Sequence, residues 1–119
     1  MRRVVVVDDR ADFRQAFAAL LDRQPDLEIV VQAGSLAEAR TMLEGIDVAL
    51  LDRGLPDGDG LGLMGDLRAV NPGARVFVIS STVEMIHPTD AIQASADGVI
   101  DKLDTPERVF AAIRGEEGG

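Results

Sequence analysis

The chain has no cysteine, tryptophan or tyrosine, and only one lysine, among its 119 residues. Without cysteine it can form no disulfide, thiolate metal site or cysteine nucleophile. Four phenylalanines are the only aromatic residues, so there is no platform for stacking nucleic-acid bases. Acids outnumber bases 21 to 12, for a net charge of −9. That balance argues against direct contact with nucleic acid, because neutralising phosphates takes clustered Lys and Arg. Long apolar runs are missing as well. None approaches the roughly 18–20 residues that span a bilayer, and no signal-peptide pattern opens the chain. A cytoplasmic protein without membrane contact is expected. All the basic residues but one are arginine; the exception is Lys102.

What is present is ordinary for a globular protein: 46% apolar and 28% charged residues. The length predicts one domain over 1–119, burying about two-thirds of its unfolded surface. Short β-branched runs alternate with helical spacing. Strands are predicted at 3–9, 27–33, 47–52, 74–80 and 98–101, the first carrying four consecutive valines that suit a parallel sheet covered on both faces. Helices are predicted at 10–24, 35–45, 60–71 and 105–115. Ser35 and Glu38 have capping-box spacing, Gly45 is a C-terminal stop, and Thr105 and Pro106 start the last helix. Gly62 and Gly65 soften the third helix, whose face carries Leu61, Met64 and Leu67. Pro88 restricts the fourth connection to a short helix at 88–96 behind an irregular 82–87. The closing "GEEGG" reads as a polar, flexible end.

Five strand–helix repeats predict an α/β, flavodoxin-like (βα)5 three-layer sandwich with a parallel sheet of order 2-1-3-4-5. In such a fold the site lies beyond the carboxyl ends of the strands, near the switch between strands one and three. Asp8 and Asp9 end strand one, Asp52 ends strand three, Ser80 ends strand four, and strand five leads to Lys102. Like charges about 4 Å apart repel by around 1 kcal/mol even in water. Three acids in one crevice must therefore protonate, pair with cations or hold a metal. Oxygen ligands suit a hard ion such as Mg²⁺. A carboxylate beside a divalent ion, a lysine and a hydroxyl is equipped for nucleophilic phosphoryl transfer.

These residues, in order and at these spacings, resemble a response-regulator receiver domain of two-component signalling. The resemblance rests on Asp8–Asp9, Asp52, "DRGLPDGDG" with Pro56 four residues after Asp52, Ser80, and Lys102 ending "ADGVIDK". The pattern "ADGVIDKLDTPERVFAAIRG" further resembles receivers joined to helix-turn-helix effectors. The resemblance implies that Asp52 accepts phosphate from a histidine kinase or phosphotransfer protein. It implies that Asp9, Asp52 and the Gly54 carbonyl bind Mg²⁺, with Asp8 acting through water. Lys102 is then the phosphoryl contact and Ser80 the switch hydroxyl. The fourth helix, fifth strand and fifth helix form the implied output surface for an effector or a homodimer.

Asp57 and Asp59 read as loop solvation and a helix-start acid, and His87 as a cap or solvent residue. Val99 stands where many receivers carry Tyr or Phe. Arg10 and Arg53 each follow a pocket acid, placed either to cover the carboxylates or to meet a phosphodonor. Two alternatives accompany the receiver reading: a receiver whose output is independent of phosphate, and an aspartate-nucleophile phosphatase. The second wants acids two residues apart, whereas Asp8 and Asp9 are adjacent.

Overall fold

A computed structural model describes residues 2–53, 55, 57–58, 60–80, 96–102 and 104–115. In chain order the elements are β1 (Arg2–Val7), α1 (Ala11–Asp22), β2 (Leu27–Ala33), α2 (Leu36–Arg40), β3 (Val48–Asp52), α3 (Leu61–Val70), β4 (Arg75–Ser80), β5 (Gly98–Asp101) and the last helix, α4 (Pro106–Arg114). The strands form one sheet of order β2-β1-β3-β4-β5, parallel at every pairing. This is the predicted topology.

The valine run explains itself once the layers are seen. Val4 and Val6 face a core shared with Phe17 and Leu21 of α1 and Val109, Phe110 and Ile113 of α4. Val5 and Val7 face the opposite core, with Leu36 and Ala39 of α2 and Leu63, Met64 and Leu67 of α3. Alternate side chains on a strand point to opposite faces, so both phases of β1 are apolar. All four valines are fully buried, each contributing about 1.5–3 kcal/mol of hydrophobic stabilisation.

Several element boundaries differ from expectation. β1 stops at Val7, leaving Asp8 and Asp9 in the loop beyond it. The second helix, expected over 35–45, ends at Arg40. Ser35 does cap it, its Oγ accepting from the Glu38 N–H at 3.1 Å. Past Arg40 the spacing tightens: the Thr41 and Met42 N–H groups donate to Glu38 O and Ala39 O, three residues back. The Thr41 hydroxyl also donates to Glu38 O at 2.8 Å, a local bond that competes with continuing the helix. Gly45 therefore serves a turn, at φ +78°, and is not the helix stop.

In α3 the buried residues are Leu63, Met64 and Leu67, with Leu61 only partly covered. Gly62 has a packing reason. A Cβ there would lie 2.6 Å from Arg40 Nη2, and Arg40 reaches across to Asp66 at 3.3 Å. The last helix starts as expected, with Thr105 Oγ1 accepting from the Arg108 N–H at 3.4 Å and Pro106 next in line. Gly115 closes it at φ 80°. Residues 88–95 of the helix expected at 88–96, the irregular 82–87, His87, Pro88 and residues 116–119 lie outside the described residues, and residue 96 is a bend.

Candidate functional site

The carboxyl edge of the sheet collects the chemistry because parallel strands all end on the same side. Asp8 follows β1, and its N–H donates to Ala33 O at 3.0 Å, which ties the loop to the end of β2. Asp8 Oδ1 accepts from the Arg10 N–H at 2.8 Å. Arg14, one turn into α1, donates from Nη1 to Asp8 O at 2.9 Å. Asp8 is thereby held by backbone and side chain and is fully buried. Asp52, the last residue of β3, is also buried, while Asp9 is exposed. One carboxylate oxygen from each of Asp8, Asp9 and Asp52 falls within a common 4.8 Å.

Lys102 supplies the counter-charge. Its backbone N–H donates to Ser80 O at 2.9 Å, which fixes the segment after β5 against the end of β4. Its Nζ lies 3.3 Å from Asp52 Oδ1 and 3.6 Å from Asp8 Oδ2. The ammonium also sits over the Phe13 ring, 4.9 Å from its centroid. Lys102 thus offsets part of the negative charge that the three acids gather there. Among the described residues Asp8 Oδ2 is buried and accepts no hydrogen bond, though it pairs with Lys102. An all-oxygen donor set that includes a buried carboxylate oxygen without a hydrogen bond fits a hard divalent cation.

Ser80 is fully buried at the end of β4. Among the described residues its hydroxyl has no hydrogen-bond partner. Gly54, expected to offer a carbonyl, lies outside the described residues, as does Asp59. Arg10 turns to Asp12, 3.7 Å away. The Arg53 N–H donates to Ile79 O at 2.9 Å, joining β3 to β4 just past Asp52. Val99 is half-buried on β5, paired in register with Val78.

Asp57 departs from its expected role in loop solvation. Its two carboxylate oxygens accept the N–H groups of Leu36 and Ala37 at 3.1 and 3.0 Å. It thus caps α2 from the loop after β3. Those bonds, Leu36's first, hold its carboxyl below the ordinary 3.8. The sequence offered no signal for this pairing, nor for the Arg14 brace or the Phe13 contact. An open groove of about 830 Å³ lined by Arg40, Glu44 and Asn71 lies toward the amino edge of the sheet, away from the acids.

Comparison with known proteins identifies the family and the fold. The family model described as "Response regulator receiver domain" matches residues 4–114. The DNA-binding transcriptional activator DevR/DosR of Mycobacterium tuberculosis is 38% identical over 104 residues, covering 86% of this chain and 48% of that protein. The nitrate/nitrite response regulator protein NarP of Escherichia coli is 32% identical over 114 residues, 94% of this chain and 53% of its own. The chain thus spans about half the length of these curated relatives. Among solved structures, a chain in the complex of the CheA3 P1 domain with CheY6 from R. sphaeroides superposes with a TM-score of 0.77 at 29% identity, covering 99% of this chain and 98% of that one. The chain belongs to the response-regulator receiver domains, the switch modules of two-component signalling.

Proposed function

We propose that Asp52 is the phosphoacceptor of this receiver, working with Lys102, Ser80 and a Mg²⁺ site. The observation that carries the reading is the Lys102 ammonium, within 3.6 Å of both buried carboxylates at the strand ends. A carboxylate oxygen of Asp52 forms the new P–O bond as the donor's bond to phosphorus breaks. For a phosphohistidine donor, the electron pair of the P–N bond returns to the imidazole nitrogen. Lys102, already beside the acceptor oxygen, neutralises charge on the transferring group without reorganising. Asp9 and Asp52, with the Gly54 carbonyl and with Asp8 acting through water, would hold Mg²⁺. The ion would supply further charge neutralisation at the phosphoryl oxygens. Ser80, whose buried hydroxyl is uncommitted, is then free to turn toward the phosphoryl group and bias the switch.

The phosphodonor is a histidine kinase or phosphotransfer protein, and a cytoplasmic location goes with that partner. Output passes through the helix expected at 88–96, β5 and α4 to an effector domain or protein. The domain assists its own phosphorylation and does not turn over an external substrate. The test is incubation with Mg²⁺ and an acyl phosphate, followed by intact mass. Wild type should gain one phosphoryl group and Asp52→Asn none. No gain by wild type, even with a cognate kinase, would favour a phosphate-independent receiver. Steady release of phosphate from an exogenous monoester would point to a phosphatase.

A further inference from the structure

Among the described residues the Lys102 ammonium meets two carboxylates and one ring, and the surroundings of the carboxylates change during a phosphorylation cycle. On becoming an acyl phosphate, Asp52 exchanges its carboxylate charge for that of the phosphoryl group, so the anion that Lys102 meets moves outward from the carboxyl. A divalent cation would also draw on Asp52 directly and on Asp8 through water. The third neighbour is the Phe13 ring, 4.9 Å from Nζ, whose negative face is the same in every state. Its orientation is fixed. Phe13 lies in the first turn of α1 and stacks on Phe17 one turn later, with centroids 5.4 Å apart and planes 17° from parallel. Both rings line a cleft of roughly 210 Å³ with Ala16, Leu20 and Val109, and Lys102 at its rim. A lysine side chain has four rotatable bonds and loses much rotamer freedom when held in one place. Its anionic partners shift during the cycle, whereas the ring does not.

We propose that Phe13 is a positioning residue for phosphoryl transfer, its ring face holding the Lys102 ammonium at the acceptor while the anion it meets passes from carboxylate to phosphoryl group. This rests on the reading of Lys102 as the phosphoryl contact. The ring also shields one side of the ammonium from water, so the cation is presented to the site from the opposite side.

The test uses the intact chain, in which Lys102 is the single lysine, so selective lysine labelling gives one unambiguous NMR signal. The Lys102 ε-methylene should be shifted upfield by the ring in wild type and in Phe13→Tyr, and return to a random-coil position in Phe13→Leu. Phe13→Leu should slow phosphorylation by an acyl phosphate about threefold to fivefold at saturating Mg²⁺, as expected of a partly exposed cation–π contact. Mg²⁺ affinity should stay within about twofold, and Phe13→Tyr should restore the rate. In a Lys102→Ala background, Phe13→Leu should cost nothing further, because the two act as one unit. An unshifted ε-methylene in wild type overturns the proposal however the variants fold. An equal loss in the Lys102→Ala background overturns it too, by showing that Phe13 acts through packing. A wild-type rate in Lys102→Ala alone overturns the reading beneath it, and the proposal with it. Slow Lys102→Ala with unaffected Phe13→Leu overturns the positioning role only.

Discussion

Asp9 is the exposed acid of a cluster whose other two members pair with Lys102. Its like-charge repulsion, about 1 kcal/mol with water screening, is a standing cost to the fold in the absence of a cation. Asp9→Asn should therefore raise the thermal midpoint in chelator by about 3–6 °C, while weakening the midpoint's response to added Mg²⁺. A scan with and without EDTA reads both, and a lowered midpoint in EDTA would contradict the repulsion argument. Ser80 follows similar logic. Its buried hydroxyl without a partner is a desolvation cost rather than a gain. Ser80→Ala should shift urea-derived stability by less than about 1 kcal/mol; a loss of more than twice that would show the hydroxyl committed to a bond in the resting state. The acids, Ser80 and Lys102 were legible in the sequence because each falls at a strand end, and strand ends converge by topology. Phe13 read only as an apolar helix position, since nothing in its spacing says which side chain crosses to α1.

Elements here are joined by polar ties between residues distant in sequence. Arg114 at the end of α4 grips Asp26 ahead of β2, with Nε to Oδ2 at 2.7 Å and Nη2 to Oδ1 at 2.8 Å. Nη2 also donates to Gln24 Oε1 at 2.7 Å. The guanidinium holds the Asp26 carboxyl at about 2, against an ordinary 3.8. A carboxyl with a lowered folded pKa stabilises above its unfolded value and loses that contribution as pH falls through the folded one. Asp26 is 41% exposed, so solvent screening limits the tie to about 1 kcal/mol. Arg114→Gln should be less stable than wild type at pH 6. The gap should close as pH drops from about 4 toward 2, as read by urea midpoints across that range. Asp57 makes the comparable tie between the loop after β3 and α2. Asp57→Ala should speed hydrogen exchange at the Leu36 and Ala37 amides while leaving the β1 amides protected. Ser35 was legible as the cap of α2 because it is adjacent. Asp57 was not, since its partners lie 20 and 21 residues back in the chain. The early end of α2 was hidden for a related reason: Thr41's hydroxyl bond to Glu38 O outweighs an apolar spacing that runs on through Leu43.

At the scale of the molecule, one sheet separates two cores, and β1 contributes to both. Core losses on either face should therefore destabilise the whole sheet. Leu21→Ala, in the α1–α4 core, is expected to cost about 2–5 kcal/mol in urea unfolding, with loss of the site and loss of helix coinciding in one transition. The layered architecture was legible because runs buried on both faces have a distinctive composition. The assignment of individual helices to faces was not, since it follows from crossover handedness and strand order together.

Strand order also gives the site a history. Asp8, Asp9 and Asp52 are made before Lys102, the last acid preceding it by 50 positions, from 52 to 102. Lys102 follows β5, which among the described residues is an edge strand paired with β4. A chain emerging during synthesis, at about 5–20 residues per second, thus carries the three acids for some seconds before Lys102 exists. Any product ending between 53 and 101 keeps the acids without the lysine. The residue that offsets part of the site's charge is the last part of it to be made.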